Sequence, residues 1–496
     1  MVEEFIEMKG HARRELKENH SMNYNLEQVV ADLVDNSIDA GAKNIEIMYN
    51  EEEYNGHLSF YVVVADDGKG IPDNKISSVM DIGVEREYDE VDLGKFGVGM
   101  KKSSLSQARE VTLLSKVNNG KINLRRLSSE VVEEQDSWIL IPTLRDHMNT
   151  DAIGLAKQKL ADRNSGSVIV LEDMHKLKHR IGQGDRKGYL AKEYGHIKEY
   201  LSLVFEKYMK GTTLTRSDGS TVHKKINIYF NGTSESHKLE TLDPFCKDMQ
   251  DGSITGTLSK SFEIPVDDGK NVHKVPLTIW ITPNKQDRGQ DYDNRIDQAA
   301  RYVGIPGLQG LYIYRNDRLI DFPGWKKILK PEPHLTCDRW EVHFPPNLDE
   351  VFQLDPSKRE IQLPATVFEE LCKIGSTKIR WHSDDAKPEL HRKRARMRQG
   401  GKDKPKVIST PTITPTTTKA TTTPKNTSKV ASSGNIGRGF TPEPVQAISE
   451  IKIKKLAGSI TGQLIVSQRE EGDKLKITLN TGHKLYEKFV QAMKDQ

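Results

Sequence analysis

Apolar residues recur at helical spacing near the start of the chain, over residues 24–40. The positions that share one predicted helix face are Leu26, Val29, Val30, Leu33 and Ser37. Short apolar runs follow and predict strands at 44–49, 58–65, 111–117, 122–127, 138–141 and 167–171. The strands come in adjacent pairs between helical patterns, so we predict an α+β domain with a mixed sheet over residues 1–190.

A second α+β pattern follows, and we assign it to residues 191–383. It combines helices at 196–209 and 365–378 with strands at 226–230, 275–281 and 311–314. From residue 384 the chain is rich in Thr, Pro and Lys and poor in large apolar side chains, so 384–445 is predicted to be a disordered, flexible linker. Residues 446–496 form a predicted small C-terminal α/β segment, with strands at 463–467 and 474–480 and a helix at 482–493.

The composition restricts the class of protein but does not indicate what the protein binds. The 496 residues suffice for several domains, and 74 Lys and Arg against 71 Asp and Glu leave the chain almost neutral. Cys246, Cys337 and Cys372 are far apart and predict neither a disulfide framework nor a zinc site. The N-terminus lacks a signal-peptide pattern, and no apolar run approaches about 20 residues. We therefore expect an intracellular protein without membrane association, cytoplasmic or, in a eukaryote, nuclear.

The first predicted helix carries a polar stripe opposite its apolar face. Asp32, Asn36 and Asp39 lie at i, i+4 and i+7, and Asp35 is next to them. Charged helix faces usually meet solvent, so a solvated stripe is one interpretation. The other is a magnesium site, because an amide oxygen suits a hard cation while a neighbouring carboxylate can take a proton from water.

A second candidate follows the buried strand at 58–65. The strand delivers Asp66 at its end, and the chain then turns through Gly68 and Gly70. A carboxylate at this place can accept a hydrogen bond from an exocyclic amine, and glycines let a flat ring approach the backbone. The same pattern also serves as an ordinary turn after a strand.

The third candidate is the glycine-rich stretch from Gly94 to Ser103, which leads into a predicted helix. Glycines before a helix expose backbone N–H groups to an anion, so the stretch is compatible with phosphate binding. It is not a P-loop, because Lys101 stands where that loop requires glycine, and Lys102 interrupts the dinucleotide fingerprint in the same way. A flexible loop without a ligand is the alternative.

In this order and at these intervals, the three candidates resemble the nucleotide-binding boxes of the GHKL ATPases, and residues 33–42 look most like the MutL and MORC branch. The resemblance implies a Bergerat-type ATP-binding sandwich, a mixed sheet with helices on one face, that binds ATP and Mg²⁺. It implies that Asn36 binds the magnesium ion, that Asp66 receives the adenine amine and that Ser167 holds adenine through its hydroxyl or a water. The nucleotide-binding residues implied in this way are Asn36, Asp66, Gly68, Gly70, Gly94, Lys95, Gly97, Val98, Gly99, Lys101 and Ser167.

The resemblance also assigns the general base, at Asp32. The family usually has Glu there, and Asp is about one methylene shorter. A misplacement near 1 Å costs about a hundredfold in rate, so we expect ATP binding with slow hydrolysis. The alternative is an ATP-switched scaffold without turnover.

Beyond residue 190 the sequence is similar to the S5-like transducer domain of the MORC-like branch, in segments 225–232, 242–245 and 310–325. In that domain a lysine reaches back to the terminal phosphate, and the matching residue here is Lys358, which we treat as catalytic. The family implies lid closure over ATP and formation of a homodimer through the N-terminal domain.

A basic cluster follows the second domain and gives a candidate DNA contact. Its residues are Arg392, Lys393, Arg394, Arg396 and Arg398. Such a cluster can hold nucleic-acid phosphates without reading sequence, or it can be a solvated helix end. With the family resemblance, it leads us to expect a DNA-associated clamp in genome maintenance or defence.

Overall fold

The structure is a computed structural model. It describes residues 11–54, 56–81, 88–94, 99–180, 186–247, 258–282, 308–332, 335–355 and 361–380, and the backbone of 465–469 and 475–479. The predicted linker, the basic cluster at 392–398, Lys358 and the predicted helix at 482–493 lie outside the described residues. The chain divides into two compact units, Met1–Val407 and Ile408–Gln496.

The first 230 residues supply nine described strands and nine described helices. The strands are β1 Asn44–Tyr54, β2 His57–Asp66, β3 Glu110–Lys116, β4 Asn123–Ser128, β5 Leu140–Ile141, β6 Gly166–Glu172, β7 Thr212–Thr215, β8 Thr221–Lys224 and β9 Asn227–Phe230. The helices are α1 Ala12–Ser21, α2 Leu26–Asp39, α3 Asp73–Met80, α4 Gly99–Leu105, α5 Ser129–Gln135, α6 Asp151–Ala161, α7 His175–Arg180, α8 Arg186–Val204 and α9 Glu206–Lys210.

Seven of these strands form one sheet, in the order β5-β4-β3-β6-β2-β1-β9. The pair β1–β9 is parallel and the other neighbouring pairs are antiparallel. The predicted α+β class and mixed sheet are therefore confirmed. β9 lies beyond residue 190, and the first unit extends to Val407, so the predicted division into domains at 190 stays a prediction.

Helices cover both faces of this sheet. Val62 and Val64 of β2 pack in the core that contains α2, whereas Val63 packs with Ala152 and Ala156 of α6 on the opposite face. The expectation of helices on one face only is therefore wrong. Its physical reason is the composition of β2, which is apolar on both sides, so that each side has to be buried.

Helix α2 is fixed at both ends by local hydrogen bonds. At its start the side chain of Gln28 accepts a hydrogen bond from the backbone N–H of Asn25, at 3.1 Å. At its end Gly41 adopts φ +75°, and the N–H of Ala42 bonds to the carbonyl of Ser37 at 3.0 Å. The predicted helix at 24–40 is thus observed at Leu26–Asp39, with its predicted end at Gly41.

The second sheet contains β10 Leu258–Asp267, β11 Val272–Ile281, β12 Gly310–Arg315, β13 Arg318–Asp321 and β14 Asp338–Phe344. Its order is β10-β11-β14-β12-β13, with β12 and β14 parallel. Helix α10, Ala365–Arg380, packs Val367 and Leu371 into the core around Trp340. This is a second mixed α+β layer, built from strands that the sequence predicted in part.

In the second unit, β15 Ile465–Arg469 and β16 Leu475–Leu479 pair antiparallel, in agreement with two predicted strands. Among the helices of the described ranges, none combines the length and the apolar character that a bilayer span requires.

Candidate functional site

Asp66 ends strand β2 inside the protein, where three groups surround its carboxylate. Its Oδ1 accepts hydrogen bonds from the N–H of Gly68 at 2.8 Å and of Ser167 at 3.2 Å, and Oγ of Ser37 lies 3.4 Å from Oδ2. Burial raises the pKa of Asp66 to about 6, although the two N–H groups oppose this shift. The side chain is 6% exposed and offers a preoriented acceptor at the end of the sheet.

Gly68 and Gly70 let the chain after Asp66 pack closely against its neighbours. Gly70 has φ +69°, and a Cβ there would lie 2.1 Å from the carbonyl oxygen of Lys116 in β3. A Cβ at Gly68 would lie 2.8 Å from the Cβ of Ala40. Packing within the chain thus accounts for both glycines, and their role in admitting a flat ring stays a prediction.

Ser115 and Ser167 add two hydroxyl groups next to Asp66. Oγ of Ser115 donates to the carbonyl of Gly166 at 2.9 Å and accepts from the N–H of Ile71 at 2.7 Å. The two Oγ atoms are 3.0 Å apart, and because the proton of Ser115 is engaged, Ser167 is the donor between them. Ser167 therefore keeps its acceptor lone pairs for another group. Sequence reasoning missed Ser115, which is one of several polar residues of β3 and is not part of a recognisable motif.

The polar stripe of α2 does not form one solvated face. Asn36 is exposed, whereas Asp32 is 6% and Asp35 1% exposed. Nε of Arg318, on β13, donates to Oδ1 of Asp35 at 2.8 Å. This buried ion pair was missed at the sequence level, because its partners are 283 residues apart.

Asp39, the last member of the stripe, holds the start of the glycine-rich stretch. Its two oxygens accept the N–H groups of Leu93 and Gly94, at 2.9 and 2.8 Å. Burial raises the pKa of Asp39 to about 6, while these hydrogen bonds and the nearby Lys224 act in the opposite direction. α2 thus positions both the stripe and the beginning of the third candidate segment.

Lys101 contributes a buried cation behind this stretch, on α4. It is 2% exposed, and its Nζ has no hydrogen-bond partner in the described part of the chain. Burial lowers the pKa of Lys101 to about 8, against the attraction of Asp81. An ammonium group without a partner in a dry place is suited to a bound anion. Gly99 begins the same helix, whereas Lys95, Gly97 and Val98 lie outside the described residues.

Segment 88–94, which precedes the glycine-rich stretch, is held by two other parts of the molecule. In the β7–β8 turn, Arg216 forms hydrogen bonds of 2.8 and 2.6 Å to the carboxylate of Asp89. In the β12–β13 turn, Asn316 donates to the carbonyl of Glu90 at 2.8 Å.

Arg315, at the end of β12, strengthens this attachment. Its Nη1 donates to the carbonyl of Asp92 at 3.0 Å, and Asp349 binds the same guanidinium at 2.8 and 3.0 Å. The segment is therefore anchored both to α2 and to the second sheet. A fixed guanidinium and carboxylate pair of this type is strongly directional.

Comparison with known proteins gives one family match. Residues 24–166 match the family described as histidine kinase-, DNA gyrase B-, and HSP90-like ATPase. The matched range contains α2, Asp66 and the glycine-rich stretch and ends one residue before Ser167. It supports ATP binding by this part of the chain.

A search of curated proteins returns no match. Among solved structures, the chain is similar to a crystal structure of the "N terminal domain of a DNA repair protein", with 15% identity and a TM-score of 0.39, over 75% of this chain and 97% of that chain. A likeness at this TM-score carries no argument about function.

Proposed function

We propose that residues 24–166 bind ATP together with Mg²⁺ and that the chain hydrolyses this ATP slowly. The observation that carries the proposal is the buried carboxylate of Asp66, which lies within the range that matches the ATPase family and accepts hydrogen bonds from two backbone N–H groups. Asp66 and Ser167 would hold the adenine amine. Lys101, whose ammonium group is buried, would face the phosphates.

The metal part of the proposal depends on few protein ligands. In the described ranges there is no group of three or more His, Cys, Asp and Glu side chains that could hold a metal ion. Magnesium commonly binds through one or two protein ligands plus phosphate oxygens and water, which fits a site based on the exposed Asn36. A bound magnesium ion would neutralise charge on the phosphates.

Asp32 is the proposed general base, and Lys358 is the proposed second cation at the terminal phosphate. Asp32 lies one helical turn before Asn36 on α2. A water bound near a metal at Asn36 would therefore be close to the Asp32 carboxylate as well. The shorter side chain of Asp supports slow turnover. The same feature favours the second candidate function, an ATP-switched scaffold without hydrolysis.

The attachments of segment 88–94 support a nucleotide-gated switch. Asp89, Glu90 and Asp92 form hydrogen bonds with the β7–β8 hairpin and the second sheet. A rearrangement of the glycine-rich stretch on ATP binding would therefore displace these contacts. We propose that the second sheet belongs to an S5-like transducer domain and that it receives this change.

The remaining part of the proposal concerns assembly and DNA. From the resemblance of residues 33–42 to the MutL and MORC branch, we propose that ATP promotes a homodimer that acts as a DNA-associated clamp in genome maintenance or defence. The basic cluster at 392–398 would contact DNA phosphates, and binding by this mechanism weakens as salt rises.

Phosphate release and ATP-analogue binding, measured with and without DNA, test the enzyme and the binder separately. Asp66→Asn and Asn36→Ala should weaken binding, because each removes a proposed ligand contact, whereas Asp32→Asn should bind the analogue and release no phosphate. Asp73→Asn is the matched control, since Asp73 is an exposed carboxylate in the same unit, paired with Arg125 at 3.1 Å. If wild type and Asp32→Asn release phosphate at equal, near-background rates, the ATPase is excluded and the ATP-switched scaffold is left. If wild type binds the analogue and Asp66→Asn binds it equally well, the assigned nucleotide site is contradicted.

A further inference from the structure

Arg318 is a buried cation that reaches from the second sheet to α2. Beyond its 2.8 Å bond to Asp35, it donates through Nη1 to the carbonyl of Leu319 at 3.2 Å. Its guanidinium carbon lies 5.7 Å from the centre of the Phe205 ring. With 2% exposure for Arg318 and 1% for Asp35, the pair is closed off from solvent. These contacts hold the guanidinium in one orientation.

The partner of Arg318 stands between two proposed site residues. Asp35 directly precedes Asn36 and lies three positions after Asp32, so all three lie within little more than one turn of α2. Removing one member of a buried ion pair leaves an uncompensated charge, which strongly favours keeping the two elements together. The orientation of this turn thus depends on a residue of the second sheet.

The charge of Arg318 also acts on Asp32. Burial acts to lower the pKa of Arg318, and the attraction of Asp35, Tyr200 and Asp32 outweighs it and raises that pKa. By the reciprocal of this interaction, the guanidinium favours the ionised form of Asp32. A carboxylate must be ionised to take a proton from water.

We propose that Arg318 is a positioning residue of the ATP site: its salt bridge with Asp35 fixes the turn of α2 that carries Asp32 and Asn36. The inference rests on the proposed function and adds that catalysis requires the docked second sheet. Arg318 touches neither nucleotide nor water in this role. It acts through Asp35 and through its field at Asp32.

Steady-state phosphate release by the full chain is the first test. Arg318→Met should lower kcat by about a hundredfold, the cost of a displacement near 1 Å at a reacting group. Arg318→Lys keeps the charge and should retain more activity than Arg318→Met. The fall of the rate on the acid side should move to higher pH in Arg318→Met, because Asp32 loses a stabilising cation.

Binding of a non-hydrolysable ATP analogue gives a readout without turnover. In wild type, the affinity for the analogue should be higher with magnesium than with EDTA, and we call this increase in affinity the magnesium gain. In Arg318→Met the magnesium gain should be smaller, because Asn36 is displaced. The double variant Asp35→Asn/Arg318→Met removes both charges, so no unpaired buried charge opposes its folding. It should bind the analogue with the same reduced magnesium gain.

The matched control is Arg339→Met, in strand β14 of the same sheet. Arg339 is equally buried and donates hydrogen bonds to the carbonyls of Pro244, Thr336 and Asp338, all within the second part of the chain. It should keep the wild-type kcat and magnesium gain. An Arg318→Met variant with wild-type values, or an Arg339→Met variant with the same losses, overturns the positioning role alone. A wild-type chain that releases no phosphate overturns the role together with the proposed ATPase.

Discussion

At the scale of single residues, Gly70 and Gly154 differ in what surrounds them. Gly70 has φ +69° and would place a Cβ 2.1 Å from the carbonyl oxygen of Lys116. Gly154, within α6, would place its Cβ in open space, with nothing within 4 Å. One position therefore requires glycine and the other only tolerates it.

This contrast gives a stability prediction. Gly70→Ala should lower the free energy of unfolding by at least about 1 to 2 kcal/mol, the cost of a left-handed conformation, with the clash in addition. Gly154→Ala should raise it by about 0.5 to 1 kcal/mol, because alanine favours the helix. Urea unfolding of both variants checks this, and a Gly70→Ala variant as stable as wild type would contradict the packing described around the turn.

The residue scale also shows what the sequence could and could not predict. The polar stripe on α2 was recognisable from its spacing, yet the contact of each carboxylate was not. Asp39 accepts hydrogen bonds from the N–H groups of Leu93 and Gly94, and Asp35 pairs with Arg318. A pattern within one helix does not contain these partners, since they arrive from other elements.

At the scale of elements, α1 and α7 meet through two histidines. The rings of His20 and His175 lie 4.8 Å apart, and His20 contacts Oγ of Ser129 at 3.2 Å. Burial lowers the pKa of His175 to about 4, and His20, Arg109 and Lys176 lower it further, against Asp173. The contact between these helices is therefore built for a neutral imidazole.

A pH dependence of stability follows, with a definite sign. The pKa of His175 is about 4 in the folded state against 6.5 for the free side chain, so the unfolded chain binds more protons between these values. The contribution of His175 to stability is full above pH 6.5 and should be lost as pH falls towards 4. In His175→Phe the melting temperature should change less with pH over this interval. An unchanged dependence of the melting temperature on pH would contradict the assignment. Exposed His147→Asn is the control and should keep the wild-type slope.

Element bounds differ from the prediction where pairing overrides local pattern. β1 was predicted to end at residue 49 and continues to Tyr54, through a run of three glutamates that pair with β2. Helix α6 was not predicted, although it packs on the face of the first sheet opposite to α2. The core strands β2, β3 and β6 were placed within one or two residues, because burial on both sides gives each of them a run of large apolar residues.

At the scale of the whole molecule, the proposed switch predicts a change in assembly. A non-hydrolysable ATP analogue with magnesium should double the mass of the full chain in light scattering, because the proposed switch couples nucleotide binding to formation of the homodimer. Asp66→Asn should remain at the mass of one chain at the same analogue concentration. An unchanged mass for wild type that has bound the analogue would remove dimerisation from the proposal and leave the nucleotide site intact.

The parallel pairing of β1 with β9 has a consequence during protein synthesis. Asn44 pairs with Asn227, which is 183 positions later in the chain. The outer edge of β1 therefore has no partner strand until those residues have been synthesised. At roughly 5 to 20 residues per second, a ribosome needs about 10 to 40 seconds to deliver them. During that interval the nascent chain carries an open strand edge, which is a site for pairing with other chains. A chaperone that shields nascent chains would therefore have its largest effect on the yield of this protein while residues 50 to 230 are being translated.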